Sequence, residues 1–151
     1  MKERFKTASA VLLMLMKNTD NGEMLLLQKR KNTGFADGQY DFSATGHVEE
    51  NESMKVAMCR EANEELDIIV KPEDLEFVCL MHKNIGKGSY YSAYFKTTKW
   101  EGIPKINEPD KIEELKWVNI NKLPENTIID RKEIVKNYIN NIKYCEYGWI
   151  K

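Results

Sequence analysis

Two apolar runs, SAVLLMLM and EMLLLQKR, stand on either side of KNTDNG, and no other feature restricts the fold of this chain so much. The unbroken stretch from Ala10 to Met16 belongs in an interior, as a buried strand or a core helix. Between the runs, the Asn21-Gly22 pair can supply the positive dihedral angles of a tight reversal, so the two are predicted to form a β-hairpin. A membrane-crossing helix would need roughly 20 apolar residues, well beyond this run. At 151 residues, the chain suits one domain, residues 1–151, around a single substantial core.

Charge narrows the partners. With 23 Lys+Arg against 24 Asp+Glu, the chain lacks the basic excess of a protein that tracks phosphate backbones, so no nucleic acid polymer is expected as a partner. The basic, then apolar start MKERFKTASAVLLMLM is followed by KNTDNGE, without a small-residue cleavage site, and is not read as a signal peptide. Cys59, Cys79 and Cys145 are odd in number and widely spaced, which implies neither a disulfide framework nor a thiolate zinc site. Reduced packing cysteines in a cytoplasmic protein are the expectation.

Farther along, KNTGFADGQYDFSATG reads as a glycine-bearing loop leading to a short aromatic strand near Tyr40–Ser43. Ser53 to Leu66 lacks Gly and Pro and has Ser53 as a plausible N-cap, so a helix is predicted there. EFVCLMHK and YYSAYFKTT read as strands joined by NIGKGS, and ELKWVNI as another after a polar, Pro-bearing loop. In IIDRKEIVKNYINNI, the four-residue spacing of Ile134, Tyr138 and Ile142 predicts a C-terminal amphipathic helix, with Asp130 near its start. The fold class is therefore α/β, an α+β sandwich with a mixed β-sheet between helices.

On the first helix, Glu61, Glu64 and Glu65 fall within one arc of about 100°, with Arg60 at its edge. Ala57 lies among them and is read as leaving room for an approaching group, while Met58, Cys59, Ala62 and Leu66 face the core. Like charges at such spacing cost a few tenths of a kcal/mol each, and anions near a helix C-terminus oppose its dipole. Local stability does not account for the cluster. Mg²⁺ or Mn²⁺ does, because these ions take hard oxygen ligands and share them with substrate phosphates.

Gly46, then Glu52, Arg60-Glu61, apolar Ala62, Glu64-Glu65 and apolar Ile68 resemble the signature of the Nudix hydrolases of MutT type. The resemblance implies a Nudix-like fold and a Mg²⁺- or Mn²⁺-dependent pyrophosphohydrolase. Its substrate would be a nucleoside diphosphate derivative, first of all a nucleoside triphosphate, modified or not, cut to monophosphate and pyrophosphate. ADP-ribose, nucleotide sugars and dinucleoside polyphosphates are alternatives, as is a non-catalytic, nucleotide-binding regulatory domain. Isomerisation of an isoprenoid diphosphate would require a cysteine in the loop before the motif, and Cys59 lies in the helix.

By the same resemblance, Glu61, Glu64 and Glu65 hold the metal, with the Thr45 carbonyl and a distant acid, Glu108, as further ligands. Asp110, Glu113 and Glu114 compete with Glu108 for that place. Glu61 or Glu65 polarises the attacking water, Arg60 completes the catalytic group and pairs with Glu52, and Gly46 shapes the motif. Arg30, with Lys31, is the expected phosphate contact. Phe35, Tyr40, Tyr90, Tyr91 and Trp117 are candidates to stack on a base, whereas His47 and His82 receive no catalytic role. Two departures stand out: Asp67 replaces the family's helix-ending Gly, and Thr45-Gly46 replaces a Gly pair. Partners beyond the small-molecule nucleotide are not implied, no membrane is involved, and the oligomeric state is left open, a homodimer included.

Overall fold

The computed structural model describes residues 2–150. The two apolar runs form β1 (Ser9–Thr19) and β2 (Gly22–Arg30), antiparallel with Thr19 opposite Gly22. Within the turn only Gly22 takes a positive φ, +100°; Asn21 instead donates its amide to the Thr19 hydroxyl. The reversal therefore uses one left-handed residue where the sequence offered two.

The remaining strands are β3 (Tyr40–Phe42), β4 (Ala44–His47), β5 (Glu76–Asn84), β6 (Ser89–Thr97), β7 (Ile112–Asn119) and β8 (Tyr144–Tyr147), with helices α1 (Met54–Leu66) and α2 (Ile129–Ile139). The sheet runs β3-β2-β1-β6-β5-β8, with β4 also pairing with β1 and β7 with β2. β1 lies parallel to β6 and antiparallel to β4 and β2, so the sheet is mixed. The continuous hydrophobicity of β1 follows from its burial on both faces. Val11, Leu13 and Leu15 pack with Ala57, Met58, Ala62 and Leu66 of α1, while Leu12, Met14 and Met16 pack on the other side with Ile134 and Val135 of α2. These are the α+β sandwich layers expected from the element order.

Several local expectations are corrected. Ala57 is fully buried and opens no approach, because this side of α1 packs onto the sheet. Cys59, as expected, packs against this core, though it is only partly buried. Ala44–His47 and Tyr144–Tyr147, assigned to no strand from the sequence, form β4 and β8. Ile142 lies beyond α2, which ends at Ile139 with Asn140 as its cap, and is 44% exposed. Cys79 and Cys145, far apart in sequence, bring their sulfurs within 3.9 Å of each other because β8 pairs in parallel with β5. Among the described residues no helix is long and apolar enough to cross a membrane.

Candidate active site

The site forms where α1 crosses β4. Ser53 caps the helix by accepting the Val56 amide at 3.2 Å, replacing a bond that the first turn cannot make for itself. One side of the helix then meets the strand at Gly46. A Cβ there would stand 2.1 Å from Cδ of Glu61, so any larger residue must displace that carboxylate. Four residues on, the Glu65 carboxylate accepts the Thr45 amide at 2.7 Å. Burial pushes the Glu65 acid up to about 8, reinforced by the nearby charges of Glu61, Glu108 and Asp41 and opposed by the Thr45 amide. Glu61 is also raised, chiefly by burial, although Arg60 works against the shift.

Arg60 fastens the loop to the helix. Its Nε and Nη2 donate to the two Glu52 oxygens at 3.1 and 2.7 Å, Nη2 also donates to the His47 carbonyl at 3.1 Å, and Nη1 reaches Glu61 at 2.8 Å. Glu52 additionally accepts the Glu49 amide. This two-pronged pairing holds the Glu52 carboxyl below its usual range, with Arg60 the main cause. Asn51 precedes it in the left-handed region at φ +65°. At the other end of α1, Asp67 takes φ +56° and returns its amide to the Asn63 carbonyl, doing the work of a terminal glycine.

Glu61, Glu65, Thr45 and Gly46 line a cleft of about 570 Å³ together with Arg30, His47, Glu49, Glu108 and Lys111. Of the distant acids, the structure brings Glu108 to this cleft. Glu113 pairs with Lys29, and Glu114 accepts the Tyr40 hydroxyl. Glu64 is not among the lining residues; its carboxylate is 55% exposed and receives Arg60 Nη1 at 3.4 Å. Thr45 presents its amide to Glu65, and its φ is not positive. Lys31 does not border the cleft, and the cation that joins Arg30 there is Lys111.

The aromatic candidates separate. Phe35 lies 5.3 Å from the Arg30 guanidinium and, with Tyr90, borders a second cavity of about 1060 Å³. Tyr40 is buried, Tyr91 stacks on His82, and Trp117 stacks on Trp100. Sequence reasoning missed Gln28, Asp41 and Arg131. Gln28 lines the cleft, while Asp41 and Arg131 meet behind Arg30. A polar residue inside an otherwise aromatic strand, as Asp41 is in YDFS, was the available signal.

The donors suit a hydrated divalent cation. Glu61, Glu65 and Glu108 border one partly desolvated cleft, and burial is the main cause that raises both Glu61 and Glu65. Among the described residues no three His, Cys, Asp or Glu side chains are gathered closely enough to enclose an ion.

Residues 6–138 match the NUDIX domain family. No curated protein matches the chain by sequence. Among solved structures, it is similar to a MutT NUDIX hydrolase from Burkholderia pseudomallei, at 22% identity and TM-score 0.75 over 87% of this chain and 98% of that one. It is also similar to the NUDIX domain of Shewanella oneidensis NrtR complexed with ADP ribose, at 18% identity and TM-score 0.70 over 93% and 91% of the two chains. A third likeness is to a bifunctional NMN adenylyltransferase/ADP ribose pyrophosphatase from Francisella tularensis, complexed with AMP and a Mn ion. There the identity is 20% and the TM-score 0.63, over 91% of this chain and 42% of that one. At these identities the likeness establishes the fold.

Proposed function

The chain belongs to the NUDIX family, and on that premise we propose that it is a Mg²⁺- or Mn²⁺-dependent pyrophosphohydrolase. Its substrate is a nucleoside diphosphate derivative, with a nucleoside triphosphate, modified or not, as the first choice. One observation carries this reading: Glu61 and Glu65, desolvated on one face of α1, share a cleft with the cations Arg30 and Lys111. Acids to hold a metal and bases to hold phosphate thus stand in one space of about 570 Å³.

Glu61, Glu65 and Glu108 would hold the divalent cation, with Glu64 and the Thr45 carbonyl as the outer members of the set. When bound, the ion stabilises charge on the phosphate oxygens and lowers the pKa of the attacking water. Arg30 and Lys111 neutralise the charge that develops on the diphosphate. Glu61 or Glu65 takes the proton of the attacking water. Arg60, clamped to Glu52, keeps Glu61 turned into the cleft. The larger cavity, with Phe35 and Tyr90 on its wall, receives the nucleoside. Residues 1–151 act as one hydrolase domain in this reading, and a nucleotide is the only partner it requires.

The test is release of phosphate or pyrophosphate from nucleoside triphosphates, oxidised nucleotides, ADP-ribose, nucleotide sugars and dinucleoside polyphosphates, each with and without Mg²⁺. Metal-dependent turnover is expected, and Glu65→Gln should lower it by on the order of 10²–10⁴-fold while the fold persists. Binding of ADP-ribose without turnover would instead support a nucleotide-sensing domain, and full activity of Glu65→Gln would refute the assignment.

A further inference from the structure

Behind Arg30 lies a buried chain of charges that the hydrolase reading does not use. Asp41 is fully buried and Arg131 nearly so. One Asp41 oxygen accepts Arg131 Nε at 2.7 Å and the Phe42 amide at 2.7 Å. The other accepts Arg30 Nη1 at 3.2 Å and Arg131 Nη2 at 3.4 Å. Arg131 Nη1 donates to both Asp130 oxygens at 3.1 Å, and Asp130 pairs with Lys83. Charges therefore alternate from Arg30, at the catalytic cleft, through Asp41, Arg131 and Asp130 to Lys83, at the larger cavity.

Buried ions are seldom retained for stability, because an apolar set of similar volume packs at no greater cost. What this set does have is one end in the cleft. Arg30 Nε donates to the Phe35 carbonyl at 2.9 Å, and its guanidinium rests over the Phe35 ring at 5.3 Å. With Nη1 on Asp41, the guanidinium is held on three sides. Arg30 Nη2 has no partner among the described residues, and the side chain lines the cleft. The division of Asp41 matters. Arg131 takes the shortest of the arginine bonds to it and leaves Arg30 a longer one, so Arg30 is oriented without being consumed by a closed ion pair.

We propose that Asp41, itself seated by Arg131, is the positioning residue that aims the Arg30 guanidinium at the substrate diphosphate. This rests on the hydrolase reading. Asp41 does not touch the cleft and acts only through Arg30. Removing its carboxylate frees the guanidinium to swing, while weakening Arg131 lets Arg30 close onto Asp41 and withdraw from the cleft.

A double-mutant cycle tests this on the intact chain. Wild type, Arg30→Gln, Asp41→Asn and the double variant are compared by calorimetric binding of methylenediphosphonate, a non-hydrolysable diphosphate, with Mg²⁺ present. KM and kcat are measured alongside for whichever substrate the release assay identifies. Asp41→Asn should weaken probe binding and raise KM by about tenfold, with a smaller change in kcat. In the Arg30→Gln background it should have no further effect. An equal loss in that background, as would follow if Asp41 acted through Glu65, overturns the proposal, and so does unchanged binding in Asp41→Asn. Should melting show that Asp41→Asn is unfolded, Arg131→Lys replaces it in the same cycle. That variant keeps the charge, removes the fork, and is held to the same two outcomes. A wild-type chain that binds the probe but hydrolyses nothing would overturn the hydrolase reading, and the binding cycle would still decide the role of Asp41.

Discussion

At Gly46, the approach of Glu61 decides which residue can stand on the strand. A methyl group there would lie 2.1 Å from Cδ of Glu61, so Gly46→Ala must displace that carboxylate from its present position. We expect turnover to fall by at least about 10²-fold, with a melting temperature close to that of wild type; activity assays and thermal melts on one sample check both. Glu65 carries a second consequence. Its acid stands at about 8 in the fold against an ordinary 4.5, so its protonation favours the folded state. That contribution is complete below the ordinary value and is lost as pH rises through the folded one. In the presence of EDTA, wild type should lose melting temperature relative to Glu65→Gln between about pH 5 and about pH 9. Mg²⁺ should restore it at the alkaline end, where the carboxylate is charged.

Helix α1 carries the site because both of its ends are well made. Ser53 caps the start, and Asp67 closes the end in a left-handed conformation that costs more for Asp than for Gly. Asp67 recovers part of that cost by pairing with Lys105 at 2.9 Å, but both side chains are half exposed or more, where such a pair contributes little. Asp67→Gly should therefore stabilise the protein by up to about 1 kcal/mol without changing turnover, as chemical denaturation followed by assay would show. The helix was legible in the sequence, since its cap, the absence of Gly and Pro, and its spaced acids are all local. The four-residue strand β4 was not. Its pairing with β1 depends on a partner more than 30 residues earlier, and ATGH carries no alternating pattern to reveal it.

Across the whole molecule, β1 organises both layers, with one set of its side chains beneath α1 and the other beneath α2. The same sheet sets the acid-lined cleft beside the larger cavity, with Arg30 and Phe35 in contact between them. From the sequence alone came the hairpin, the sandwich class, the run from Gly46 to Ile68 with its resemblance, and the cluster of acids on the first helix. All of these rest on short-range spacing, which survives in a linear string. Tertiary structure decided which of those acids share a cleft, turned Glu64 toward solvent, brought Glu108 to the cleft wall and joined Arg131 to Asp41 across 90 positions. Such choices depend on how β1 brings distant segments together and on how burial sets the strength of each charge, and neither is written in the spacing of residues along the chain.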